Sequence, residues 1–230
     1  MPGIREIPLD TSMDSLWEEC VYTLVRLRAR AITRELAAPF DELLGRIQTT
    51  ETTQRAHWQA ESAADAAVEV ADEDLDEVTD DVIAEVRHAD RKAESDAREN
   101  QYLGTLTLRG LTRLGLASQM ARMRTWVTSL ESEPEDSLKK LTKRLVKVFT
   151  AGGAAIDQRV EAASARAAHR AREITSLVAD VNATRRDTYG ALVRIAAKNK
   201  RPKDWPERFF LHSSKSVTAV DPTPPAPPTT

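Results

Sequence analysis

Cysteine occurs once in the 230-residue sequence, glycine eight times, and aromatic residues make up only 5%. Each scarcity excludes something. A single thiol cannot close an internal disulfide, so a disulfide framework is ruled out and a reducing setting fits. Cys20 lies between apolar residues in "LWEECVYTLV" and is expected to pack as a small hydrophobe. Few glycines and aromatics, against abundant alanine, leucine, arginine and glutamate, disfavour sheets and favour long helices. Long apolar runs are missing too: "NQYLGTLTL" and "VFTAGGAAI" reach nine residues without a charge, against the roughly 20 that a membrane helix needs. The opening "MPGIREIPLD" has no apolar leader core. The expectation is a soluble, cytoplasmic, all-α protein.

Proline is sparse until the end. After Pro2 and Pro8 it falls at 39, 134, 202 and 206, then five times within 222 to 228. An interior proline costs a helix about 3 kcal/mol, so the proline-free stretches 40 to 133 and 135 to 201 permit very long helices. Three capping pairs mark starts near 13, 133 and 205: Ser15 with Glu18, Ser132 with Glu135, and Asp204 with Glu207. Leu16, Cys20, Leu24 and Leu27 recur at helical spacing and define one packing face.

These signals predict a helix from 13 to 37, and a second from 40 that either reaches 98 or turns near Asp72. A third is predicted from 104 to 131, then a short basic helix ending at Gly152-Gly153, where flexible backbone favours a break. A long helix from 154 to 199 and a short aromatic helix, "DWPERFFLH", complete the set. The domain expectation is an extension at 1–12, one helical-bundle domain at 13–212, and a disordered proline-rich tail at 213–230 with Pro222 and Pro225 at PxxP spacing. The fold class expected is an elongated bundle of long antiparallel, coiled-coil-like helices.

Charge is what the sequence has in quantity, and it is sorted. The formal net charge is only −3, yet residues 1 to 100 carry 11 Lys/Arg against 24 Asp/Glu, and the remainder carries 22 against 12. The acidic half, 13–100, centres on "DEDLDEVTDD" at 72 to 81, with seven carboxylates in ten positions. The basic half, 101–212, contains the alanine-rich "AAIDQRVEAASARAAHRAREITSLV", a counterpart of the acidic "RAHWQAESAADAAVEVADEDLDEV". Small residues let helix axes approach, and opposite charges select that pairing over like with like. Asp72, Asp74, Asp76, Asp80 and Asp81 are therefore expected to meet Arg159, Arg166, Arg170 and Arg172, within one chain or between chains. Exposed pairs contribute under about 1 kcal/mol each, so they choose register and partner while leucine and valine stripes hold the fold.

Two basic clusters offer a second use. Lys139, Lys140, Lys143, Arg144 and Lys147 form the cationic face of an amphipathic helix, and Arg194, Lys198, Lys200, Arg201 and Lys203 gather further on. Either suits phosphates of nucleic acid or an anionic membrane. Against that reading stand the acidic half and the absence of a base-reading motif. Trp205, Phe209 and Phe210 concentrate aromatics in one short segment, which either clasps the bundle or anchors a partner.

Motifs for chemistry are thin. Glu85 and His88 have Glu-x-x-His spacing, but the stripe Leu75, Val78, Val82, Val86 turns them away from a core, and no second such motif exists. His57 with Glu61 lacks the full zinc-binding spacing, while His169 and His212 suit packing and a helix end. Nucleotide-binding glycine patterns and a nucleophile elbow are missing. The functional expectation is a non-enzymatic scaffold without cofactor, self-associating or pairing with another helical protein through its acidic and basic surfaces; the alternative is a binder of anionic surfaces.

Overall fold

The structure, a computed structural model, describes residues 4–211; the proline-rich segment 213–230 and its predicted disorder lie outside them. Every regular element among the described residues is helical, with no β-strand. The eight α-helices are α1 (Met13–Arg28), α2 (Ala38–Lys92), α3 (Ala97–Leu103), α4 (Leu108–Thr112), α5 (Leu116–Arg122), α6 (Trp126–Ser132), α7 (Asp136–His169) and α8 (Thr175–Lys198). Contacts divide the chain into two compact units, one of residues 1–51 with 171–230 and one of 52–170. Both boundaries between the units fall inside helical stretches, so neither is marked by a linker.

In the first unit, α1 begins where Ser12 Oγ accepts the Ser15 amide at 3.2 Å. Its stripe Leu16, Cys20, Leu24 and Leu27 is buried as expected from spacing. The predicted extension of this helix to 37 does not occur. Arg30 takes an extended conformation, and the Thr33 hydroxyl donates to the Leu27 carbonyl at 2.7 Å, satisfying an orphan helix-end acceptor. A 3-10 stretch, Ala31–Ala37, follows, and Pro39 sits in the first turn of α2, where its missing amide costs nothing. The core joins the α1 stripe to Phe40, Leu43 and Ile47 of α2, to Leu177, Val178, Val181 and Leu192 of α8, and to Trp205, Phe209 and Phe210. Each fully buried large side chain contributes roughly 1.5–3 kcal/mol. The aromatic segment is one 3-10 turn, Glu207–Phe209, rather than the helix predicted from 205 to 212.

In the second unit, α2 passes Asp72 without turning and ends at Lys92. Asp90, buried, accepts the Glu99 amide at 2.9 Å and so ties that end to the start of α3. The single helix predicted from 104 to 131 is instead three short ones, α4 to α6, with α3 standing separately before them. Gly104 at φ 61° closes α3 and Gly115 at φ 73° precedes α5 as its N-cap, both with left-handed φ, and Thr107 Oγ accepts the Gly110 amide to start α4. Broken this way, the segment buries Tyr102, Leu103, Leu111, Leu116, Met123, Trp126 and Leu130 in one cluster with Leu75, Val78, Val82, Ile83 and Val86 of α2 and Leu138, Leu145 and Val148 of α7.

The start of α7 is three residues later than its capping pair suggests, because Glu133, preceding Pro134, is held extended. The break predicted at Gly152-Gly153 is also absent: α7 runs straight through. A Cβ at Gly152 would lie 2.9 Å from Met120 Sδ and 3.2 Å from Leu116 Cδ1, so this glycine provides close approach to α5 rather than flexibility. The interruption instead falls later, at a π-helical turn, Arg170–Ile174.

Candidate functional site

Within the second unit, the acidic and basic alanine-rich helices are joined by ion pairs. Glu61 pairs with Arg166, whose guanidinium also lies 5.7 Å from the Trp58 ring centroid. Asp65 pairs with Arg159 at 2.8 Å. Arg144 bonds Glu77 at 2.8 Å and also bonds Asp81, and these two hydrogen bonds push its pKa above the ordinary arginine value. Partners advance along α2 as they recede along α7.

The pairing predicted for 72 to 81 is met only in part: Asp72 lines one groove with Arg159, although Arg159 forms its ion pair with Asp65, whereas Asp81 is bonded by Arg144 rather than by the arginines at 159 to 172. Among the described residues, Asp81 alone of the five predicted aspartates has an ion pair, and its partner comes from the basic cluster. Asp74 and Asp80 are exposed. Asp72 and Asp76 are half-buried, each with an Oδ1 that has neither solvent contact nor hydrogen bond. Burial, then the neighbouring charges of Asp76 and Glu73, raise the Asp72 pKa. Asp72 borders an open groove of about 560 Å³ lined also by Val68, Leu114, Leu116, Ile156 and Val160. Arg170 and Arg172 are exposed, and Arg172 belongs to the first unit.

The other predicted contacts sort by exposure. Lys139, Lys140, Lys143 and Lys147 stand exposed on α7 without an ion pair among the described residues. Lys198, Lys200 and Arg201, together with Arg194 and Lys203, are exposed at the end of α8 and beyond. Trp205, Phe209 and Phe210 are 4%, 2% and 2% exposed, so the anchor reading is corrected: they clasp their own unit. Trp205 packs edge-on to Phe209 with centroids 4.8 Å apart.

For chemistry, the residues singled out in the sequence are far from poised. Burial pushes the Cys20 thiol up to about 12, which keeps it protonated and unreactive at neutral pH. His88 is exposed and Glu85 half-buried. Among the described residues, no three His, Cys, Asp or Glu side chains are grouped to hold a metal ion. His57 and His169 do meet, with ring centroids 5.0 Å apart, and the buried His169 Nε2 has no hydrogen-bond partner.

Sequence reasoning missed the polar groups that fasten the first unit. The Asn182 amide accepts from the Ile7 N–H and donates to the Ile7 carbonyl, both at 2.9 Å, pinning the N-terminal stretch. Arg185 is buried one turn further along α8 beside Glu19. Neither contact has a local signal, since the partners lie at opposite ends of the chain.

The fold and these surfaces define an all-helical protein of two compact units, no described helix of which is long and apolar enough to cross a membrane. Comparison of the chain with protein-family models, with curated proteins and with solved structures gives no match.

Proposed function

We propose that the protein is a non-enzymatic helical assembly or scaffold protein that self-associates through complementary acidic and basic helix faces, acting in a reducing, cytoplasmic setting. The observation that carries this reading is the distribution of charge left after the internal pairs are counted. Arg144, Arg159 and Arg166 are engaged by α2 carboxylates, whereas exposed Asp74 and Asp80 and exposed Lys139, Lys140, Lys143 and Lys147 retain unpaired charge of opposite sign on the two helices. Charge of this kind steers association and selects register more than it adds affinity. The opposed order of the ion pairs supports an antiparallel, coiled-coil-like arrangement of α2 with α7 as the element that presents both faces.

Light scattering after size exclusion tests the proposal. The mass should exceed that of one chain at about 0.05 M salt and fall toward it at about 1 M, where the screening length shrinks to roughly 3 Å. Replacing Lys139, Lys140 and Lys143 with glutamine should remove the low-salt species. A single-chain mass at every salt concentration overturns the reading.

The same unpaired lysines favour one alternative, a binder of anionic surfaces through 139–147 and 194–203. Salt-sensitive retention on heparin or anionic vesicles, lost in the lysine variant while the mass stays that of one chain, selects it.

A further inference from the structure

The N-terminal stretch, the first turns of α1 and the middle of α8 enclose a cleft of about 510 Å³ in the first unit, lined by Arg5, Ser12, Ser15, Glu18, Glu19 and Arg185 among others. That size falls in the range of about 300–1,000 Å³ usual for small-molecule sites. Arg185 is the unusual member. Its side chain is 4% exposed, and its Nε and Nη1 have no hydrogen-bond acceptor. Glu19 Oε2 approaches Nη1 only to 3.4 Å, long for a charge-assisted bond, and the Phe210 ring centroid lies 5.6 Å from the guanidinium carbon. A buried guanidinium with unmet donors is costly unless something supplies acceptors.

The same cleft is lined by Ser12, the N-cap of the 16-residue helix α1, and by Ser15, so the positive end of that helix dipole borders it. Ser12 Oγ satisfies only the Ser15 amide. These features call for an oxyanion. The cleft is nevertheless not simply basic, because Glu6, Glu18 and Glu19 line it as well. Glu6 is engaged by Arg186, whereas Glu18 is exposed and has no ion pair among the described residues. A phosphate dianion would face these carboxylates, and an amine alone would leave Arg185 unsatisfied. A molecule carrying both charges close together meets both demands.

We propose that this cleft binds an α-amino acid, its carboxylate held by Arg185 and the first turn of α1 and its ammonium by Glu18 and Glu19. The site shares no residue with the charged faces of α2 and α7, so its test and the test of self-association fail independently.

Isothermal titration calorimetry of the full chain with L-alanine, L-leucine, L-glutamate and L-lysine, and with acetate, methylammonium and inorganic phosphate, tests it. At least one amino acid should bind saturably, and about tenfold or more tighter than any of the three fragments. Arg185→Gln should abolish binding, but it leaves Glu19 beside an uncharged partner and can unfold the unit. The exposed substitutions Glu18→Gln and Arg5→Gln keep the test decisive: Glu18→Gln should weaken binding about tenfold, the loss expected for one charge-assisted contact, with an unchanged melting profile. Absence of heat with all four amino acids overturns the proposal. Equal or tighter binding of acetate or phosphate does the same, as does an affinity unmoved by both exposed substitutions.

Discussion

The side-chain amide of Asn182 exchanges two hydrogen bonds, both at 2.9 Å, with the backbone of Ile7, as a neighbouring β-strand would. Both residues are buried, so the loss of the amide leaves two backbone groups unsatisfied. Asn182→Ala should destabilise the first unit by about 2–3 kcal/mol, given about 1–3 kcal/mol per orphaned buried group with partial rescue by water. Hydrogen exchange at the Ile7 amide should accelerate more than at α1. Retained protection at Ile7 in a variant that melts earlier would contradict the assigned contact.

Asp65 and Arg159 are both largely exposed, so their 2.8 Å ion pair should matter more for register than for stability. Asp65→Arg alone places like charges together and should lower the melting temperature of the second unit at low salt. Adding Arg159→Asp should restore most of the loss, and high salt should erase the difference between all three proteins. A double variant no better than the single one would remove the pair from the register argument.

Gly152 and Gly153 differ in what surrounds them. A Cβ at Gly153 meets nothing within 4 Å, whereas one at Gly152 presses on Met120 and Leu116. Gly153→Ala should stabilise α7 by about 0.5–1 kcal/mol through helix propensity. Gly152→Ala should yield less or reverse sign, and Gly152→Val should be clearly destabilising by overpacking. Chemical denaturation of the three variants gives the order; a Gly152→Ala protein more stable than Gly153→Ala would show that α5 does not sit closely there.

Cys20 has a folded-state pKa raised from 9.0 to about 12 by burial. A raised acid favours the fold fully below the unfolded pKa and loses that contribution as pH climbs toward the folded value. Between pH 7 and pH 10 the protein should lose about 1–2 kcal/mol of stability from this thiol alone. Cys20→Ala should be less stable at pH 7 through the lost packing, yet show a shallower alkaline decline. Parallel pH profiles for the two proteins would contradict the assignment.

Helical periodicity located the start of α1 and its buried stripe, because spacing at three and four residues is written locally; proline placement permitted a long α2 but left open whether it would turn near Asp72, and α1 was carried past its real end at Arg28. The segment from 104 to 131 was read as one helix, since its leucines also fit a helical period. Its real breaks depend on Gly104 and Gly115 taking left-handed φ once the leucines and Trp126 find a core. Gly152 misled in the opposite direction, since a glycine that ends a helix and one that admits a neighbour are indistinguishable until that neighbour is placed.

The charge asymmetry likewise identified that acidic and basic helices would meet, but not at which residues. Alternation of apolar and charged positions, and the scarcity of glycine, proline and aromatics, fixed an all-helical chain through local energetics alone. Register, the Arg144 contacts and the burial of Arg185 beside Glu19 were decided only in three dimensions. Long-range pairing depends on which side chains packing brings together, and a charged residue carries the same sequence signature whether it ends in solvent, in an ion pair or beneath an aromatic ring.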